Sequence, residues 1–192
     1  MGVDKVILRA FLSTLIAIVT LLAFMIGTLC LAFPSTMMEL TYDLGMEKSS
    51  IHFAERAYKW SDDVYYIAYA TEVAIERESA DKIVEDGDKF IADDGFSVYC
   101  DEKGGIYEQY IYGQVVLAKY EKGDKTSAVA TAFEAVQDGF PKNNAVVALA
   151  VKALRAGDGE TVLRIHGEML KMQDGVADTD KAYFSEILAL TA

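Results

Sequence analysis

Asp86-Gly87-Asp88 and Asp93-Asp94-Gly95 are two acidic runs that invite a calcium reading. Neither run continues into a calcium-binding loop with a closing glutamate, as an EF-hand requires. Acidic–glycine pairs also do ordinary work at helix ends and turns. The two histidines, His52 and His166, have no ligand-type neighbours at metal spacing. His52 reads as an exposed residue near the start of a helix, and His166 as a packed, hydrogen-bonded side chain on an inward helix face. The sequence contains no glycine-rich phosphate loop, no paired-cysteine metal motif and no recognisable nucleophile–base pair. The expectation is a protein that is not an enzyme, with no catalytic residue, no cofactor and no bound metal.

Tyrosine is the abundant functional side chain, with 11 in the chain. Tyr58, Trp60, Tyr65, Tyr66 and Tyr69 fall together, as do Tyr107, Tyr110, Tyr112 and Tyr120. On a helix Tyr65 and Tyr69 share a face while Tyr66 points elsewhere, so the rings cannot all enter one core. Rings with a polar tip suit contacts with a partner as well as helix–helix seams. Tyr65, Tyr66, Tyr69, Tyr107 and Tyr112 are the candidate partner-binding residues; the alternative is that they fill seams.

These side chains must be held by something. The first clear element is an apolar run. Ala10 to Phe33 holds no charged residue and is interrupted only by Ser13, Thr14, Thr20, Thr28 and Gly27. As a helix it extends about 36 Å, enough to cross a hydrocarbon core of about 30 Å. A cleaved signal peptide is the rival reading, but its apolar core is shorter and ends at small residues, whereas this run ends at Cys30-Leu31-Ala32-Phe33-Pro34. Lys5 and Arg9 precede the run, and the first basic residue after it is Lys48. Basic residues favour the cytoplasmic side, so the expected topology is a single pass with the N-terminus cytoplasmic and the C-terminal domain extracytoplasmic. Ser13 with Ala17, and Ala23 with Gly27, are small residues four apart and are candidates for packing against a neighbouring membrane helix.

The chain carries a formal net charge of −12, and of its charged residues only Asp4, Lys5 and Arg9 precede residue 34. So acidic a domain opposes nucleic acid and anionic lipid; the expected partners are other proteins, including a membrane protein, and the bilayer through residues 10–33. Cys100 is the single cysteine beyond the apolar run, so the domain has no internal disulfide and relies on its core. Cys100 is expected in a loop, open to thiol reagents.

Residues 1–9 read as a short cytoplasmic segment, 10–33 as the membrane helix, 34–45 as a connector and 46–192 as an all-α domain. Thr36 and Glu39 have capping-box spacing and Gly45 marks a stop, giving a short juxtamembrane helix. Met37, Met38, Leu40, Leu44 and Met46 are placed to rest on the membrane or on the base of the domain. Further helices are expected at about 50–60, 62–78, 79–92, 105–122, 125–138, 144–156, 160–173 and 178–190, with Ile106, Tyr110, Gly113, Leu117 and Tyr120 along one face of the fourth of these. Residues 93–104 read as an inserted non-helical loop, with an extended piece at Phe96–Tyr99.

Gly123-Asp124 and Gly157-Asp158 are the same turn 34 residues apart, which is the tetratricopeptide period. Aligned on them, Ala128, Ala132 and Ala135 correspond to Val162, His166 and Met169, the inward positions of a second helix. Pro141 falls just past such a helix. Ala54-Glu55-Arg56-Ala57-Tyr58, followed by Ser61 to Asp63, reads like the end of one repeat and the start of the next. Gly113 matches the small position of a first helix, although Gly123 follows it by ten residues, about a turn more than the standard unit. Residues 46–192 thus resemble a tetratricopeptide-repeat-like helical-hairpin array, with an irregular helical bundle as the alternative. The resemblance implies a binding surface: a membrane-anchored protein-binding scaffold, an accessory or assembly subunit of a membrane or cell-envelope complex. With the orientation reversed, it resembles cytosol-facing import receptors, whose acidic surface draws basic peptide segments. A third reading, a cell-envelope enzyme, has no residues to carry it.

Overall fold

A computed structural model describes residues 3–137 and 139–192. Met1, Gly2 and Asp138 lie outside the described residues, as do the side chains of residues 3–5, and with them the extremes of the expected 1–9 and 125–138 segments. All elements among the described residues are helices. The chain divides into two compact units, one ending at Asp62 and one spanning Asp63–Ala192.

The first unit holds α1 (Val3–Ala32), α2 (Pro34–Asp43) and α3 (Glu47–Ser61). Within α1, Val6–Ala32 is long and apolar enough to cross a membrane, and none of its most apolar stretch is buried. Its hydroxyls are satisfied inside the helix: Thr14 donates to the Ala10 carbonyl, Thr20 to Ile16 and Thr28 to Phe24, at 2.8–3.0 Å. Such back-bonding leaves no polar group seeking water. The backbone breaks at Phe33 (φ −134°, ψ 64°), and α2 starts at Pro34. Thr36 does not cap it; the helix begins two residues earlier, because proline presets φ and its missing N–H is not needed in the first turn. Gly45, at φ +68°, turns the chain between α2 and α3, a conformation glycine adopts without Cβ strain.

The second unit comprises α4 (Val64–Glu76), α5 (Ala80–Ile91), α6 (Phe96–Lys103), α7 (Tyr107–Glu121), α8 (Lys125–Glu134), α9 (Ala145–Ala156), α10 (Gly159–Met172) and α11 (Lys181–Thr191). Helices α4–α5, α7–α8 and α9–α10 form hairpins, and α7 packs on α5, α8 and α9. Helix α10 packs on α8, α9 and α11. The interior is rich in alanine and valine: Ala68, Ala74, Val115, Val116, Ala128, Ala132, Ala150 and Ala153 are buried, with Phe90, Leu149, Ile165 and Met169 filling the larger gaps. Small side chains let helix axes approach closely.

Residues 93–104 are not an open loop. Phe96–Lys103 is helix α6, not an extended piece. Phe96 and Cys100, four apart, are its buried side, and that spacing belongs to a helix rather than a strand. Helix α6 contacts α4 and α7. The core side of α7 also differs from the expected face. Ile111, Val115 and Ala118 are buried together with Tyr112, Val116 and Lys119, because α5, α6, α8 and α9 all pack on α7, whereas Ile106 is 85% exposed and Tyr110 46%.

The hairpin ends are joined by polar contacts. Asp124 and Asp158 each cap the second helix of a hairpin, accepting from Ser127 N at 3.1 Å and Thr161 N at 3.3 Å. Asp158 also takes Lys125 at 2.7 Å and the Tyr120 hydroxyl at 3.1 Å. The Lys125 ammonium, then Thr161, hold its carboxyl well below the usual carboxylate range. Lys119 is buried between helices, 2.6 Å from Asp88 on α5 and 2.9 Å from Thr131 on α8. Gly87 marks the tightest packing in α5: a Cβ there lies 2.4 Å from Val115 Cγ2, whereas one at Gly113 meets nothing within 4 Å. Gly113 therefore does not need to be small.

These two glycines give a paired test. Both sit within helices, where alanine is favoured by about 1 kcal/mol. Gly87→Ala is expected to lose up to about 2 kcal/mol net, since overpacking costs about 1–3 kcal/mol against that gain. Gly113→Ala is expected to gain about 0.5–1 kcal/mol. Thermal melts of the two variants check this; equal stabilisation by both contradicts the close approach of α5 and α7.

Candidate functional site

Helices α4, α6 and α7 bring tyrosines of the second unit together. Asp63 caps α4 by accepting from Tyr65 N at 3.0 Å, which places Tyr65 and Tyr66 in the first turn. Their rings meet edge to face, centroids 5.5 Å apart. From α6, Tyr99 packs on Phe90 at 5.5 Å and reaches Tyr107 at 6.2 Å. Tyr107 in turn stands 6.2 Å from Tyr110. Lys103 lies over the Tyr99 ring at 5.3 Å, a cation–π arrangement, and pairs with Glu72 of α4 at 3.7 Å. The Tyr107 hydroxyl donates to Glu72 Oε1. One carboxylate thus ties α4 to both α6 and α7.

The electrostatics keep these phenols protonated. Burial, then the Glu72 hydrogen bond, raises Tyr107. Burial, then the Glu72 charge, raises Tyr99, with Tyr65 adding a smaller push. The Glu72 carboxylate also raises Lys103, keeping it cationic. Tyr99 and Tyr107 are therefore uncharged rings at neutral pH, beside the Lys103–Glu72 ion pair.

The five candidate tyrosines are sorted by depth. Tyr65 is exposed, Tyr66, Tyr69 and Tyr107 are half-buried, and Tyr112 is buried. Tyr112 packs edge to face on Phe96 at 5.6 Å, and burial, then Glu134 and Glu108, pushes its hydroxyl up to about 12. Tyr99, Glu72, Lys103 and Tyr110 complete the surface and were not among the candidates. Tyr99 and Lys103 carry no sequence signal of this role, because the turn pairs Asp94-Gly95 and Gly104-Gly105 mask the helix that holds them. Glu72 falls seven residues after Tyr65, two helical turns on the same side, and that spacing was the available signal.

Beside this surface, an acidic cleft of about 570 Å³ lies at the α7 N-terminal end. Phe96, Tyr112 and Phe140 form aromatic walls, Asp93, Glu108, Glu134 and Asp180 supply charge, and no lysine or arginine is among its described lining residues. Gln109 bridges to α8 by donating to the Ala135 carbonyl at 2.7 Å.

The acidic runs, the histidines and Cys100 lie elsewhere in the fold. Asp86 is buried on α5 and bonds Lys89 at 3.2 Å, Gly87 provides close packing, and Asp93 accepts from Gly95 N in a turn. His166 is half-buried, its Nδ1 3.2 Å from Thr191 Oγ1, and His52 is exposed. Cys100 is not in an accessible loop. It is 1% exposed in α6, and burial, then Glu108 and Asp101, pushes its thiol up to about 12, so native Cys100 is a poor target for thiol reagents. On α1, Ser13, Ala17, Ala23 and Gly27 fall within about one third of the circumference; Ser13, Ala17 and Ala23 are exposed and Gly27 is half-exposed.

Comparison with known proteins gives no match: no protein-family model, no curated protein and no solved structure matches this chain.

The depth order sets an expectation for stability. Tyr112→Ala is expected to cost about 3 kcal/mol or more, as large aromatic truncations in cores do. Tyr65→Ala and Tyr110→Ala are expected to stay within about 0.5 kcal/mol of the parent. Denaturant melts followed by circular dichroism separate the two classes; a large loss at Tyr65 or Tyr110 contradicts their placement at the surface.

Proposed function

We propose that this chain is a membrane-anchored protein-binding scaffold, an accessory or assembly subunit of a membrane or cell-envelope complex. The observation that carries the reading is the tyrosine surface on α4, α6 and α7, with Tyr65 and Tyr110 exposed and Tyr107 pinned to Glu72, standing on stacked helical hairpins in a chain that also carries an apolar helix whose most apolar stretch is unburied. Helical-hairpin arrays bury their cores between neighbouring units and present extended surfaces to other proteins. The Gly-Asp turn repeated at 34 residues, with Asp124 and Asp158 as matching caps, supports a tetratricopeptide-like array. The buried Ala128, Ala132, Val162 and Met169 fit inward positions of its second helices. Aromatic residues with polar tips supply much of the energy at protein interfaces.

In this reading α1 crosses the bilayer with Lys5 and Arg9 on the cytoplasmic side. The acidic, aromatic-walled cleft favours a second reading, a cytosol-facing receptor that binds basic peptide segments. Orientation distinguishes the two. The α6–α7 connection is exposed at Gly104 and Gly105, so a Gly105→Cys substitution in a Cys100→Ala background supplies the accessible thiol that Cys100 does not. Labelling by a membrane-impermeant maleimide in intact cells is expected; labelling only after lysis reverses the orientation and favours the receptor.

The binding role is tested separately. Tyr65→Ala and Tyr110→Ala are expected to reduce several-fold the proteins recovered with the full chain from native membranes, at unchanged melting temperature. Unchanged recovery from both variants contradicts the assignment of this surface.

A further inference from the structure

Helix α2 has three distinct sides. Pro34, Met38 and Thr41 are buried. Glu39 and Asp43 are exposed on a second side. The third carries Phe33, Met37, Leu40 and Leu44, spaced four, three and four apart, which is a single helical stripe. Phe33 is 55%, Leu40 48% and Leu44 65% exposed in the full chain. An amphipathic helix normally buries one apolar face and wets the other; α2 has a second apolar face, open at Phe33, Leu40 and Leu44 and half-covered at Met37 among the described residues.

We propose that this stripe rests on the lipid bilayer, so that α2 is an interfacial helix lying at the membrane surface. The inference builds on the reading of α1 as a membrane span. Three observations point to lipid as the occupant. The stripe is continuous with the span: Phe33 N donates to the Leu29 carbonyl at 2.9 Å, and Met37 N to the Phe33 carbonyl at 3.1 Å. Its residues are therefore tethered at the point where α1 leaves the hydrocarbon, and ten residues of helix extend only about 15 Å from there. The charged side of α2 lies about 90° away from the stripe, at Glu39 and Asp43, so an apolar stripe on lipid leaves both carboxylates in water. The stripe consists of Phe, Met and Leu with no lysine or arginine, so attachment depends on apolar area and the tether, and suits zwitterionic headgroups. The buried side, turned from the stripe by about a quarter of the circumference, belongs to the hairpin that α2 makes with α3. Held this way, the anchor fixes an oriented hairpin to the surface instead of ending in a free leash.

Trp60 is the only tryptophan and is exposed, which allows single-tryptophan depth measurements in the Trp60→Phe background. The full chain is placed in phosphatidylcholine nanodiscs with and without brominated acyl chains. Tryptophan is introduced singly as Leu22→Trp in the span, Leu40→Trp on the stripe and Glu39→Trp on the charged side. The expected result is strong quenching of Leu22→Trp and Leu40→Trp, with Glu39→Trp spared. Quenching at Leu22→Trp without quenching at Leu40→Trp overturns the interfacial helix and leaves the anchor standing. Equal quenching at positions 39 and 40 overturns the assignment of the lipid-facing side. An unquenched Leu22→Trp overturns the anchor and this inference with it.

Discussion

The second unit depends on covering α7. This helix is buried over most of its circumference by α5, α8 and α9, and few side chains meet such crowding without clash or void. Valine and alanine supply the walls at Val115, Val116 and Ala118. Gly87 removes the one Cβ that α5 cannot accommodate against Val115. Lys119 is the single charged residue drawn into the α7 interior side, and it is tolerated there because Asp88 and Thr131 hold its ammonium. An unpaired buried cation is strongly unfavourable, whereas a paired one with its hydrogen bonds satisfied is not. The position of every other element in the unit follows from contact with α7 or with the hairpins stacked on it.

That constraint also decides which tyrosines are available. Tyr112 points toward the covered side and becomes core. Tyr107 and Tyr99 sit at the margin, where Glu72 and Lys103 secure them, and Tyr65 and Tyr110 remain outside. The same cluster is therefore both a seam and a surface, with the Glu72 bonds at the boundary. In the proposed binding role, fixing the half-buried rings in advance lowers the ordering cost, since immobilising side chains on association is unfavourable.

Much of this was legible in the residues, and the exceptions have physical reasons. The apolar run from Ala10 to Phe33 marks a helix able to cross a membrane on length and composition alone. The Gly-Asp pairs at 123–124 and 157–158 mark hairpin turns because glycine takes positive φ at both and aspartate caps both following helices. Helix α6 was obscured because flanking Asp94-Gly95 and Gly104-Gly105 read as turns, and eight residues carry too little periodicity to outweigh them. The burial of Cys100 and the inward path of Lys119 depend on which helices happen to lie opposite, which local sequence does not encode. The start of α2 at Pro34, two residues before the capping-box signal at Thr36, reflects local competition that proline wins.

The central claim is that the α4–α6–α7 tyrosine surface meets a partner at the membrane. The most direct measurement is site-specific photocrosslinking in intact membranes, with a photoreactive phenylalanine derivative replacing Tyr110 on that surface or Leu163 on α10, both exposed. The account predicts a discrete crosslinked protein band from position 110 and none from position 163. Identical patterns from the two positions, or no crosslink from position 110, contradict it.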